Sequence, residues 1–290
     1  MSEYVIVTDS SGDLSQELVE ELGIQVLPLS FILQGVTRKN YPDNRDMSPE
    51  DFYNLIRAGE MPTTSAVNMQ EYVDYLTPVL EAGKDVLILA FSSGLSVTYQ
   101  SACLAADELR EAFPERRIEV VDTLCASMGQ GLLVWYAAKR QQAGESLESV
   151  RDWCEANKLH LCHWFTVNDL MHLKRGGRVS AATAVAGTIL NIKPVLHVDD
   201  EGHLINMAKA RGRKASLDYL VDKVGETGTD LTRQVIFISH SDCLDDAKYV
   251  GDKLKEKYHV KDVVYNFIGP VIGSHTGCGC VALFFLGTHR

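Results

Sequence analysis

The sequence predicts an α/β fold: a Rossmann-like parallel sheet in an N-terminal domain, followed by a second, smaller α+β domain. Three observations predict it. Up to about residue 125, short β-branched runs alternate with helical periodicity, the pattern of βαβ units feeding a parallel sheet. A length of 290 residues exceeds what one hydrophobic core usually organises. Around Asn157 the character of the chain changes, which places a boundary between 1–157 and 158–290, although no Pro/Gly/Ser linker marks it.

Each element has a local cause. Tyr4 to Thr8 opens as a strand; Ser15 caps a helix that runs through Leu22 and stops at Gly23, and Gln25 to Leu29 reads as the next strand. Ser48-Pro49 with Glu50 and Asp51 starts a helix ending near Gly59, and Asn68 caps another in which Tyr72, Val73, Leu76, Val79 and Leu80 share a face. Asp85 to Phe91 is a buried strand. A hydroxyl-rich turn leads from it into a helix carrying Ala105, Leu109, Ala112 and Phe113, ended by Pro114. Ile118 to Asp122 and a helix from Ala126 to Ala143 follow. In the second half, His160 to Thr166 reads as a strand, Leu173 to Ser180 as a basic Gly-Gly turn, and Lys193 to Met207 as two strands around Asp200-Glu201-Gly202. The helical stripe Leu217, Leu220, Val221, Val224, the strand Val235 to Ser239, a helix through Ala247, Val250 and Leu254, and the strand Val263 to Phe267 complete the unit.

Composition narrows the function classes. The chain is 46% hydrophobic with 28 basic and 39 acidic residues, net −11, which argues against nucleic acid and anionic membrane as sequence-independent partners. The charge is uneven: residues 1–157 hold 11 basic and 25 acidic residues, and residues 158–290 hold 17 and 14. Seven scattered cysteines read as reduced thiols, and with no basic-then-apolar leader and no apolar run near the roughly 18–20 residues of a membrane span, the expected location is the cytoplasm, without stable membrane insertion. Cys278-Gly-Cys280 has the wrong spacing for a zinc knuckle, and His160 and His163 fall on opposite faces of a strand, so no metal site is expected.

Ligands of open parallel sheets sit beyond the carboxyl ends of the strands. Four hydroxyl-rich segments fall there: Thr8 to Gly12, Pro62-Thr63-Thr64-Ser65, Ser92 to Ser96, and Asp122-Thr123. Hydroxyls beside the free N–H groups of a helix start suit a carboxylate or phosphate. His275 lies between glycine-bearing dipeptides in what reads as a flexible turn. The Gly-x-Ser-x-Gly elbow, the Gly-Lys-Ser/Thr phosphate loop and the Gly-x-Gly-x-x-Gly fingerprint are missing, so nucleotide and flavin cofactors are not expected. A second reading stays open, a serine-dependent small-molecule hydrolase or acyltransferase using Ser93 or Ser96 with His275.

Seven segments in order, TDSSGDL from Thr8, PTTS from Pro62, FSSGLSVTYQSA from Phe91, VVDT from Val120, LKRGGRVS from Leu173, IKPVL from Ile192 and GPVIGSHTG from Gly269, resemble the DegV family of fatty-acid-binding proteins. The resemblance covers essentially the whole chain. It implies a carrier rather than a catalyst, holding one long-chain fatty acid with its tail in an apolar tunnel and needing no cofactor. It places the carboxylate on Thr64 and Ser96, with Thr63, Ser93 and His275 as neighbours. Some members present the acyl group to a fatty acid kinase, which forms the acyl phosphate; Arg175, Arg211 and Arg213 are then candidates for a rim facing that partner or its phosphate. Three departures stand out. Ala66 and Val67 replace a Gln-Pro, Val97 replaces a glycine, and Cys278 replaces a proline; the valines are expected to add bulk beside the headgroup.

Overall fold

The computed structural model describes residues 4–179 and 191–290. The chain starts with β1 (Tyr4–Asp9) and α1 (Gln16–Leu22), where Ser15 accepts from the Leu18 N–H and Gly23 closes the helix in the left-handed region. β2 (Gln25–Leu27) pairs parallel with β1. The strand expected to reach Leu29 stops early, because the Leu29 N–H donates to Ser10 Oγ and the chain turns away. It then forms an antiparallel hairpin, β3 (Ser30–Leu33) and β4 (Val36–Lys39), that the sequence reading lacked. α2 (Pro49–Arg57) follows, and β5 (Thr63–Ser65) joins the other edge of β3. α3 (Met69–Glu81) begins with a full capping box between Asn68 and Glu71.

With β6 (Asp85–Ala90), α4 (Thr98–Ala112) and β7 (Ile118–Asp122), the chain completes a four-stranded parallel sheet in the order β2-β1-β6-β7. α5 (Met128–Gln142) is followed by α6 (Leu147–Asn157), an unanticipated helix that Ser146 caps. Next come β8 (Leu161–Thr166), α7 (Met171–Arg175), β9 (Ile192–Val198), β10 (Leu204–Arg211) and α8 (Arg213–Thr227). β11 (Val235–His240), α9 (Leu244–Tyr258), β12 (Asp262–Phe267), α10 (Pro270–Thr276) and β13 (Val281–Leu286) end the described chain's regular elements. The second sheet runs β10-β9-β8-β13-β11-β12, antiparallel except for the β11–β12 pair.

α5 lies where the two large sheets meet. Its Leu132, Leu133, Val134 and Ala137 share one core with Leu87 and Leu89 of β6 and with Phe165, Phe237 and Phe284 of the second sheet. This helix is buried nearly all round over its first half, so it can approach closely only with small residues. A Cβ on Gly129 would stand 2.1 Å from His163 Nε2, and glycine is what lets α5 touch β8. Two of the sequence's turns are revised: the expected Gly-Gly turn from Leu173 begins inside α7, which runs to Arg175, and His275 sits in the last turn of α10, not in a flexible turn. Ser180, the end of the expected Gly-Gly turn, lies outside the described residues. Among the described residues no helix is long and apolar enough to cross a membrane.

Candidate functional site

An internal slot opens beyond the carboxyl end of β6, between the two large sheets and α10. Its walls are mostly apolar: Phe91 and Leu95 after β6, Phe165 on β8, Leu173 on α7, Val198 and Leu204 around the β9–β10 turn, Val271 and Ile272 on α10, and Ala282 and Phe284 on β13. Several of these side chains are almost wholly buried, so the slot is a space inside the core rather than a surface groove.

Four polar side chains close one part of this wall: Thr64, Ser96, Arg178 and His275. Thr64 reaches it because β5 alternates, turning Thr63 and Ser65 to solvent and Thr64 inward against Phe31. Its Oγ1 lies 2.9 Å from His275 Nε2. Ser96 precedes α4, where its Oγ stands 2.9 Å from Thr98 Oγ1 and accepts from the Thr98 N–H at 3.2 Å. Arg178 donates from Nε to the Leu95 carbonyl at 3.2 Å and from a terminal nitrogen to the Gly176 carbonyl. Burial lowers this half-buried guanidinium from its ordinary value, with no carboxylate acting to raise it. Among the described residues no acidic side chain pairs with this cation, which stands beside two hydroxyls and an imidazole.

The imidazole is neutral at physiological pH. Burial first, and the charge of Arg178 second, push His275 down to about 4. Its Nδ1 is buried without a hydrogen-bond partner. That edge packs on Gly176, where an added Cβ would come within 2.2 Å of Nδ1. A histidine base for nucleophilic catalysis is ordinarily oriented by a hydrogen-bond acceptor on its other nitrogen, and here a glycine occupies that side.

A surface recess shares Thr64, Arg178 and His275 with the slot and is further lined by Met61, Thr63, His172 and Arg175. Arg175 is exposed and contacts Met61 Sδ at 3.3 Å. The polar side of the slot therefore faces this basic recess.

The expected residues divide clearly. Thr64, Ser96 and His275 meet at the slot, and Thr63 and Arg175 line the recess outside it. Ser93 lines neither; its N–H donates to Asp122 Oδ1. Arg211 ends β10 on the surface, and Arg213 is committed to Asp246 at 2.8 Å, so neither borders the slot or the recess. The expected helix-start N–H groups beside Thr64 are also not found: the segment is a strand, and the α3 amides are capped by Asn68. Nor do the valines crowd the headgroup region. Val97 is 64% exposed, Val67 packs in the core of the parallel sheet, and Ala66 alone of these lines the slot. Cys278 packs on the Tyr53 carbonyl instead.

Sequence reasoning missed four polar residues of the slot: Arg178 beside Ser96 and His275, and Ser127, His163 and Thr276 along the wall. Arg178 was visible only as one charge in a basic cluster. His163 carried no signal at all, since its Nδ1 is 2.8 Å from the Leu161 carbonyl inside a strand and burial holds it well below the usual histidine range, hence neutral.

Fold and site together define an α/β protein with a mostly apolar internal slot, one part of which carries hydroxyls, an imidazole and a guanidinium. The chain belongs to the DegV family: the family model described as "Uncharacterised protein, DegV family" matches residues 3–288. A DegV domain-containing protein of Clostridium perfringens is 46% identical over 289 residues, covering 99% of this chain and 98% of its own length. Among solved structures, a fatty-acid-binding DegV family protein from Thermus thermophilus superposes with a TM-score of 0.89 at 33% identity, covering 99% of this chain and 100% of that one. DegV, a fatty-acid-binding protein from Bacillus subtilis, gives 0.83 at 28% identity, with coverage of 99% and 100%.

Proposed function

We propose that this protein is a non-catalytic carrier of one long-chain fatty acid, its tail in the slot and its carboxylate on Thr64, Ser96, His275 and Arg178. The observation that carries the reading is the division of a single cavity into a mostly apolar wall and a polar part whose cation, Arg178, has no acidic partner among the described residues. Each buried CH₂ contributes about 0.8 kcal/mol, so a C16 tail supplies on the order of 10 kcal/mol before ordering costs. With His275 Nε2–H donating to Thr64 Oγ1, the Thr64 hydroxyl proton is free to donate to the ligand. Arg178 supplies the charge-assisted bond that hydroxyls alone lack. The named function of the Thermus thermophilus and Bacillus subtilis relatives supports the same ligand class.

The carboxylate so held faces the recess that Arg175 borders. A fatty acid kinase docking there would meet a carboxylate oxygen able to bond to the transferred phosphorus as the nucleoside diphosphate leaves, giving an acyl phosphate. Arg175 is the residue available to that partner or its phosphate. Displacement of a fluorescent fatty acid tests the carrier reading: palmitate should compete at least tenfold better than methyl palmitate, and equal competition would remove the role of the polar cap. Arg175→Glu should cut acyl phosphate formation by an added fatty acid kinase while leaving palmitate affinity unchanged; lost affinity would place Arg175 in the lipid site instead.

A further inference from the structure

A second recess lies behind the start of α10. Asp9, Asp13, Asn40, Asn44, Asn266 and Gly269 are among the residues lining it. The two carboxylates are 1% and 5% exposed. Among the described residues no lysine, arginine or histidine pairs with either; hydrogen bonds alone hold them. Asp9 accepts from the N–H groups of Ser11 and Phe91 at 3.1 and 2.8 Å, and from the Ser11 hydroxyl. Asp13 accepts from the Gly269 N–H at 2.9 Å and from Ser127 Oγ at 2.5 Å. Two buried carboxyl groups without a counter-charge among the described residues are costly to ionise together.

Asn40 makes the imbalance specific. It is 7% exposed, its Nδ2 donates to the Ser10 carbonyl at 3.2 Å, and its Oδ1 is buried and accepts nothing. That orphan oxygen converges with the Asp13 carboxylate: a Cβ placed on Gly269 would stand 2.8 Å from Asn40 Oδ1 and 2.9 Å from Asp13 Oδ1. A buried acceptor beside a carboxylate is completed by a hydrogen-bond donor or by a cation between them. The donors are oxygens from loops, with no thiol or imidazole, which excludes the zinc class and suits a hard ion that accepts irregular oxygen sets.

We propose that this recess binds a hard divalent cation, calcium in preference to magnesium, through the Asp13 carboxylate and Asn40 Oδ1. Among the described residues no three His, Cys, Asp or Glu side chains gather around one point, so water completes the shell and the expected Kd is weak, roughly 0.1–1 mM. The ion would tie the turn after β1 and the residue after β4 to Gly269, the N-cap of the helix that carries His275. Occupancy would then steady the carboxylate cap from behind.

The test uses the full chain stripped with EDTA and held at pH 8. At matched ionic strength, 10 mM CaCl₂ should raise Tm by about 3 °C or more, MgCl₂ less and KCl not at all. Titration calorimetry with CaCl₂ should give one site, weakened at least tenfold in Asn40→Ala and abolished in Asp13→Asn. Should Asp13→Asn fail to fold, Asn40→Ala carries the test, because it keeps both Asp13 hydrogen bonds. No calcium effect in the wild type, or equal affinity in Asn40→Ala, overturns the proposal. So does a Tm that falls from pH 6 to 8 without any dependence on cation, which would mean that an Asp13 proton, donated to Asn40, fills this role.

Discussion

Thr64 Oγ1 and His275 Nε2 meet at 2.9 Å across 211 residues of sequence. One sits on an edge strand of a three-stranded sheet, the other in the last turn of α10, and neither element was anticipated. This bond joins β5 to α10 at the polar part of the slot, where the proposed function places the ligand carboxylate.

Removing the hydroxyls should weaken head recognition without harming the tail. Thr64→Val and Ser96→Ala are each expected to lower palmitate affinity by roughly 10–100-fold, the range for hydrogen bonds to a charged group. Thr64→Val should cost more, since it also leaves His275 Nε2 without its partner. Fluorescent fatty-acid displacement reads both, and unchanged affinity in the two variants would move the anchor elsewhere.

Arg178→Met keeps the stem and deletes the charge. Palmitate affinity should fall by about tenfold or more, while methyl palmitate affinity stays within about twofold, so the preference for the free acid collapses. Parallel losses for both ligands would show that Arg178 packs rather than recognises.

Gly176→Ala separates packing from propensity. The backbone there is compatible with any residue, φ −70°, and helix preference alone would favour alanine. The new methyl would nevertheless collide with His275 Nδ1. Overpacking of this kind costs about 1–3 kcal/mol, so Tm and palmitate affinity should both fall. A raised Tm would contradict the tight seat of the imidazole.

His275 should stay neutral far below the usual histidine range. Its folded value of about 4 lies under the unfolded one, so the stability it contributes is complete above about 6.5 and is lost as pH falls through 4. NMR of the ring Cε1–H resonance should show a midpoint near 4 in the ligand-free protein; a midpoint near 6.5 would mean that the ring is solvated.

Much of the parallel sheet was legible because its signals are local. Ser15, Ser48 and Asn68 cap the helices they were expected to cap, and the buried run after Asp85 is β6. What stayed hidden depends on distant partners. β5 has three residues and exists only because β3 offers an edge. α10 reads as a glycine-rich turn until Asp13 binds the N–H of its N-cap Gly269. Arg178 could be counted as a charge, but its burial beside Ser96 and His275 is a property of the assembled cap. The motif resemblance pointed to Thr64 and Ser96, which do line the slot, and to Ser93, which lines neither the slot nor the recess and whose N–H donates to Asp122; Arg213, a candidate for the partner rim, pairs with Asp246.

Native mass spectrometry of protein purified from a bacterial host tests the carrier reading most directly. The expected spectrum shows one added C14–C18 fatty acid per chain, with the adduct lost in a Thr64→Val, Arg178→Met double variant. A protein that is empty as purified, and stays empty after incubation with palmitate and oleate, contradicts it.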